Sequence, residues 1–211
     1  MLLDIHTHHL SQPYDTAIIN GCMYGSPIPE EAVYISAGIH PWYLTEENLP
    51  LQQRWLIDKL EDPRTIALGE SGLDKLCSTP FHIQEEAFSF TCKQAEQYHL
   101  PLIIHAVKSY NEIIAFKQKI HPTIPWIIHG FRGKKELAQS LVKQGLYLSF
   151  GEKYQPEALA SVPDNTFLLE TDESSIDIKT LYRQAADIRN VTVESLQGSL
   201  QKTINSLFFN L

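Results

Sequence analysis

The sequence predicts an α/β protein, a compact (β/α)8 barrel of the TIM type whose first and second helices are truncated. Three observations lead there. Eight short runs rich in valine, isoleucine, leucine and tyrosine recur along the 211 residues, near-continuously apolar as strands buried on both faces are. Segments of helical period separate most of them, and strand–helix alternation implies parallel βαβ units. Several of the runs also close on a histidine or a carboxylate at the same relative place.

The strands are expected at "LLDIHTHH" (2–9), "TAIING" (16–21), "AVYISAGIH" (32–40), "TIALGES" (65–71), "LPLIIHA" (100–106), "PWIIHG" (125–130), "GLYLSFG" (145–151) and "NTFLLETD" (165–172). Helices are expected over 46–60, 81–98, 108–119, 133–144, 177–189 and 192–208. Only a handful of residues separate the first two strands, so the first helix is missing or a stub. The next, around "SPIPEEA", is too short for a full crossover. No linker, repeat or low-complexity tract divides the chain, which reads as one domain over 1–211.

Composition narrows the function classes. The net charge of −8 and pI near 5.5 argue against a broad basic face for duplex DNA, although bound divalent cations would supply positive charge locally. No run reaches transmembrane length and nothing near the start resembles a signal peptide. Cys22, Cys77 and Cys92 form no CxxC pattern, which suggests a reducing cytoplasm without a disulfide framework.

The chemistry lies at the strand ends. The first strand closes on His6 and His8, the fourth on Glu70, the fifth on His105, the sixth on His129 and the eighth on Asp172. In a parallel barrel all strand C-termini share one mouth, where barrel enzymes build their sites. Residues 6 and 8 share a face because the strand period is two, and parity puts Asp4 one step deeper on it. A lone HxH is weak, since roughly 0.4 such pairs arise by chance at nine histidines in 211 residues. Six ligating residues all closing apolar runs are not a chance expectation. Four imidazoles and two carboxylates suit a pair of divalent metals bridged by a carboxylate and a hydroxide, with Glu70 at the central strand as the natural bridge.

The same residues carry a family resemblance. "DIHTHH" (4–9), "AGIHP" (37–41), "GESGLD" (69–74), "LPLIIHA" (100–106), "IIHGFRG" (127–133), "GLYLSFG" (145–151) and "LLETD" (168–172), with "INSLFF" (204–209), occur in order over nearly the whole chain. They resemble the TatD-like metal-dependent hydrolases, a branch of the amidohydrolase-type barrels. The resemblance implies His6, His8 and Asp172 on one metal, His105 and His129 on a second, and Glu70 shared. It implies Asp172 as the residue that orients the water and takes its proton, and magnesium, manganese or zinc as the metals. Many members are deoxyribonucleases acting on single-stranded DNA. The chain departs from the family pattern at Ala106, Val107 and Lys108, at "ESSIDI" (173–178), at Arg132, and in its shortness between the first and third strands.

Other residues have assigned expectations. His40 is expected to touch substrate or cap the next turn, and Trp42 and Tyr43 to stack on a base or pack over the mouth. Lys108, Arg132 and Lys153 follow strand ends and could hold a phosphodiester. Asp4 is expected beneath the metals, partnering a ligand imidazole, and Asp74 is expected to brace the loop after the fourth strand. His9, His82, His99 and His121 read as structural or surface residues, and Cys92 as core. The resulting expectation is a metal-dependent hydrolase, foremost a deoxyribonuclease using a metal-bridging hydroxide on single-stranded DNA or a small phosphoester. Alternatives are hydrolysis of a small amide, ester or lactone, or a non-catalytic binding barrel. No membrane association and no obligate protein partner are expected.

Overall fold

The computed structural model describes residues 3–10 and 12–209. Eight strands pair in chain order, all parallel: β1 Asp4–Thr7, β2 Ala17–Cys22, β3 Tyr34–Gly38, β4 Thr65–Asp74, β5 Leu102–Val107, β6 Trp126–Ile128, β7 Tyr147–Phe150 and β8 Phe167–Leu169. The ring closes where the Asp172 N–H donates to the His6 carbonyl at 2.9 Å and the His8 N–H to the Asp172 carbonyl at 3.1 Å. Both faces are covered, so the strands are buried at nearly every position; β4 is buried at nine of its ten residues.

The helices are α1 Leu49–Leu60, α2 Phe81–Tyr98, α3 Tyr110–Ile120, α4 Lys135–Lys143, α5 Pro156–Ser161, α6 Ile178–Arg189 and α7 Val193–Ile204. The first begins three residues later than its periodicity suggested. Thr45 and Asn48 form a separate turn before it, and Pro50 fits only the first helical turn. Helices α2, α3 and α6 end on left-handed residues, His99, His121 and Asn190, so two of the histidines read as surface residues are helix caps. Helix α5 was not expected from the sequence, because six residues are too few to show a period.

Truncation falls where expected. Among the described residues a single 3₁₀ turn, Tyr14–Thr16, lies between β1 and β2, and those between β2 and β3 form no helix. A small cluster of Ala17, Ile19, Ala32 and Ile35, with Leu10 and Ile28 against it, packs in this region. Arg64 holds the loop down: its Nη1 donates to the carbonyls of Pro29, Glu30 and Ala32 at 3.3, 3.0 and 3.3 Å. Asp62 fixes the guanidinium through Nε and Nη2. One arginine thus satisfies carbonyls that a helix would have paired internally.

At the mouth, β4 runs close to β5. Gly69 has φ +116°, and a Cβ there would overlap the Ile103 carbonyl, so glycine is required immediately before Glu70. No helix among the described residues is long and apolar enough to cross a membrane.

Candidate metal centre

The two-residue strand period delivers His6 and His8 together. His6 is fully buried, and both ring nitrogens lack a hydrogen-bond partner among the described residues. Its Nε2 instead faces two carboxylates, Glu70 Oε2 at 3.5 Å and Asp172 Oδ1 at 3.8 Å. His8 Nε2 faces the same two oxygens, at 3.8 and 3.7 Å, while its Nδ1 lies 2.8 Å from Ser26 Oγ.

Glu70 occupies the centre. Its backbone N–H donates to Asn20 Oδ1 at 2.9 Å, which fixes the carboxylate's approach. Oε1 meets His105 Nδ1 at 2.6 Å, His129 Nε2 at 2.7 Å and His40 Nε2 at 3.0 Å. Oε2 faces His6 and His8. One carboxylate therefore presents each oxygen to a different set of histidines. Burial pushes the Glu70 carboxyl up, but the neighbouring His129 and the bonds from His105, His129 and His40 outweigh it and hold the group well below the usual carboxylate range. For His129 burial works downward, yet Glu70 and Glu170 beside it raise the imidazole well above its ordinary value. His40 is lowered, chiefly by burial.

Asp172, on the segment after β8, adopts φ +56°. Arg132 Nη2 stands 4.0 Å from its Oδ2, so one oxygen faces the histidines and the other the mouth. Lys108, Arg132, Lys153 and Trp42 line one open cavity of about 730 Å3 above Glu70. The structure thus brings together the six residues the sequence singled out, with the expected cations around them.

One expectation changes. Asp4 does not touch an imidazole: its oxygens accept from the His6 and Thr171 backbone N–H groups at 3.3 and 3.0 Å and from the Thr171 hydroxyl at 2.6 Å. The carboxylate sits below the strand ends, where backbone amides are nearer than ring nitrogens, and burial raises it to about 7. His40 caps its turn, accepting the Trp42 N–H at Nδ1, while its Nε2 lies 3.0 Å from Glu70 Oε1 and the residue lines the mouth cavity.

Sequence reasoning assigned no site role to three groups. Asp74 braces its loop through the Leu76 N–H, as expected, and its Oδ2 also lies 3.3 Å from His105 Nε2 and accepts the Trp42 indole N–H at 2.7 Å. Glu170, wholly buried, sets Oε1 3.3 Å from His129 Nδ1 and accepts the Gly130 N–H at 2.6 Å. Asn20, inside β2, lies beside Glu70 and accepts its backbone N–H. The signal was present: Glu170 shares strand parity with Asp172, and Asn20 is the polar residue in an apolar run.

The donor set fits divalent cations. Ligand atoms of His6, His8 and Asp172 lie within 4.8 Å of one another, as do those of His40, Glu70 and His105 and of His6, Glu70 and His129. Unpartnered, fully buried ring nitrogens on His6 are costly unless a cation or donor meets the one with the lone pair and an acceptor the one with the proton. A mixed imidazole–carboxylate set suits several divalent metals.

A closed parallel barrel with a histidine–carboxylate cluster at its strand C-termini defines a metal-dependent hydrolase of the barrel type. Residues 27–208 match the family model described as TatD related DNase, a stretch that includes Glu70, His105, His129 and Asp172. The chain belongs to this family. It is 27% identical over 202 residues to the uncharacterized metal-dependent hydrolase YabD of Bacillus subtilis, covering 83% of this chain and 77% of that one. It is 28% identical over 149 residues to the 3'-5' ssDNA/RNA exonuclease TatD of Salmonella typhimurium, covering 65% and 56%. The crystal structure of the TatD homologue YjjV from Escherichia coli shares the fold, with a TM-score of 0.79 and 18% identity over 100% of this chain and 98% of that one.

Proposed function

We infer that this chain hydrolyses phosphodiester bonds of single-stranded DNA with two divalent cations of the magnesium, manganese or zinc kind. The observation that carries the reading is the Glu70 carboxylate, with one oxygen toward His6 and His8 and the other toward His105, His129 and His40. In this reading His6, His8 and Asp172 hold one cation, His105 and His129 the other, and Glu70 lies between. When bound, such a pair supplies Lewis acidity toward a phosphoryl oxygen and acidifies water near neutrality.

The chain's own groups do the rest. Asp172, partly exposed at the mouth, takes the proton of the attacking water at a carboxylate oxygen and holds it for the leaving group. Lys108, Arg132 and Lys153 place positive charge where a phosphodiester would enter, against a chain net charge of −8. Trp42, 52% exposed, offers its ring to a base, and stacking of this kind tolerates any sequence. The name of the Salmonella relative, an exonuclease on single-stranded DNA and RNA, supports this substrate class. The cytoplasm is the compartment that suits the free cysteines Cys22, Cys77 and Cys92.

The limited cavity volume of about 730 Å3 and the acidic charge favour one second reading, a small amide, ester or lactone. End-labelled single-stranded DNA and a panel of small esters and lactones, offered to manganese-loaded protein, separate the two. Cleavage of DNA alone supports the first reading, and turnover confined to the panel overturns it.

A further inference from the structure

We propose that the loops after β2, β3 and β4 form one track for unpaired bases, in which Tyr24 and Leu76 hold the nucleotides adjoining the one at the cluster. This rests on the reading of the site as a phosphodiesterase acting on a single strand, and names the surface that strand would lie on. The β-strands pair in chain order, so consecutive loops are neighbours around the mouth. Those after β2, β3 and β4 carry Tyr24, then Trp42 with Tyr43, then Leu76, whereas those after β5, β6 and β7 carry Lys108, Arg132 and Lys153. The described residues expose eight large apolar side chains, and four of them are these. The rim is thus divided into an apolar half and a cationic half. Trp42 and Tyr43 share one cavity with the three cations, and Glu70 lies in it.

The apolar half is held rigidly although it is exposed. Asp74 accepts the Trp42 indole N–H at one oxygen and the Leu76 N–H at the other, both at 2.7 Å. The Thr79 hydroxyl, later in the Leu76 loop, donates to the Pro41 carbonyl at 2.7 Å. The Tyr43 carbonyl accepts from the side chains of Asn48 and Gln52, each at 2.9 Å. Gly25, next to Tyr24, lies so close to Tyr43 that a Cβ there would overlap the ring. Cys22 and Ser26 close that turn with backbone hydrogen bonds of 3.0 and 3.3 Å. Apolar side chains kept in solvent on a fixed backbone make a binding surface with little left to order.

The occupant follows from the opposite half. A single nucleic-acid strand has two chemically different edges, phosphates that pair with cations and bases that stack on apolar faces. A duplex turns its bases inward and offers phosphate on both edges, which leaves the apolar loops without a partner. Trp42 and Tyr43 line the cavity, whereas Tyr24, 50% exposed, and Leu76, 72% exposed, stand outside it. The outer pair therefore meets the bases beside the reacting nucleotide, and its contribution grows with strand length.

The test assays manganese-loaded protein on a thymidylate decanucleotide and on the dinucleotide, dividing kcat/KM for the first by that for the second. Leu76→Ser and Tyr24→Ser are each expected to lower this ratio about 5–10-fold, through KM. Leu51→Ser, at an exposed apolar position on α1, is expected to leave it at the parent value. An unaltered ratio in either mouth variant overturns the proposal. So does an equal loss on both substrates, which marks a disturbed cluster, or a change of oligomeric state confined to these variants in analytical ultracentrifugation, which assigns the surface to a second copy of this chain. If the parent cleaves neither substrate, the phosphodiesterase reading fails, and fluorescence anisotropy of a labelled decanucleotide on manganese-loaded protein decides instead. Weaker binding in both mouth variants then supports the track, and any other result overturns it.

Discussion

Asp172 and His6 meet twice, once through the backbone and once through their side chains. The Asp172 N–H donates to the His6 carbonyl at 2.9 Å, closing the barrel, and its Oδ1 stands 3.8 Å from His6 Nε2, closing the cluster. The seam of the fold and the candidate site are the same few atoms.

Asp172→Asn separates the two roles. At φ +56° asparagine is as comfortable as aspartate, so the seam survives and Tm should move by less than about 2 °C. Hydrolysis should fall by about 10²–10⁴-fold, the usual worth of a positioned proton acceptor. Asp172→Ala should lose activity equally and also cost about 1–2 kcal/mol, because alanine pays for the left-handed backbone. Differential scanning calorimetry beside an activity assay checks both.

Glu70→Gln should leave a folded barrel with no turnover and weak Mn2+ binding, because both histidine sets lose their shared anion. Removing one partner of a buried ion pair costs about 3–5 kcal/mol, to be read from urea unfolding of metal-free protein. His129 should titrate nearer its ordinary value in this variant, since Glu70 is its largest upward influence; imidazole NMR of metal-free protein measures it.

Arg64→Met tests the helixless crossover. The arginine's hydrogen bonds hold Asp62 at about 2, below the ordinary 3.8. Because the folded value is the lower one, this stabilisation is complete above 3.8 and disappears as pH falls toward 2. Both groups are partly exposed, so the variant should cost about 1 kcal/mol at pH 7. The cost should be smaller at pH 3; urea midpoints at the two pH values provide the comparison.

Gly69→Ala should be severe although it changes one methyl group. The residue needs φ +116°, and the methyl would overlap the Ile103 carbonyl, so β4 must part from β5 or Glu70 must move. A loss of about 3 kcal/mol or more, with activity reduced even in the folded fraction, is the expected result of urea unfolding and assay.

Much of this was legible in the residues. All eight strands were, because fully buried parallel strands announce themselves as unbroken apolar runs, and α2 was read to its ends. The six cluster residues were legible because strand parity and strand ends fix where side chains point. What escaped depends on contacts between distant segments. Asp74 reaches His105 and Trp42, which are 31 and 32 positions away, and Glu170 reaches His129 across 41. No local pattern encodes those pairings. Asp4 was misassigned because parity gives a face but not a depth, and the nearest groups at its depth are backbone amides.

The central claim is that this cluster performs metal-dependent phosphodiester hydrolysis. The most direct measurement is cleavage of an end-labelled single-stranded DNA by metal-stripped protein, before and after adding magnesium, manganese or zinc, with Asp172→Asn alongside. The expected result is cleavage only after metal is restored, and none beyond background in the variant. Equal cleavage by stripped protein or by the variant, or none by any sample, would contradict it.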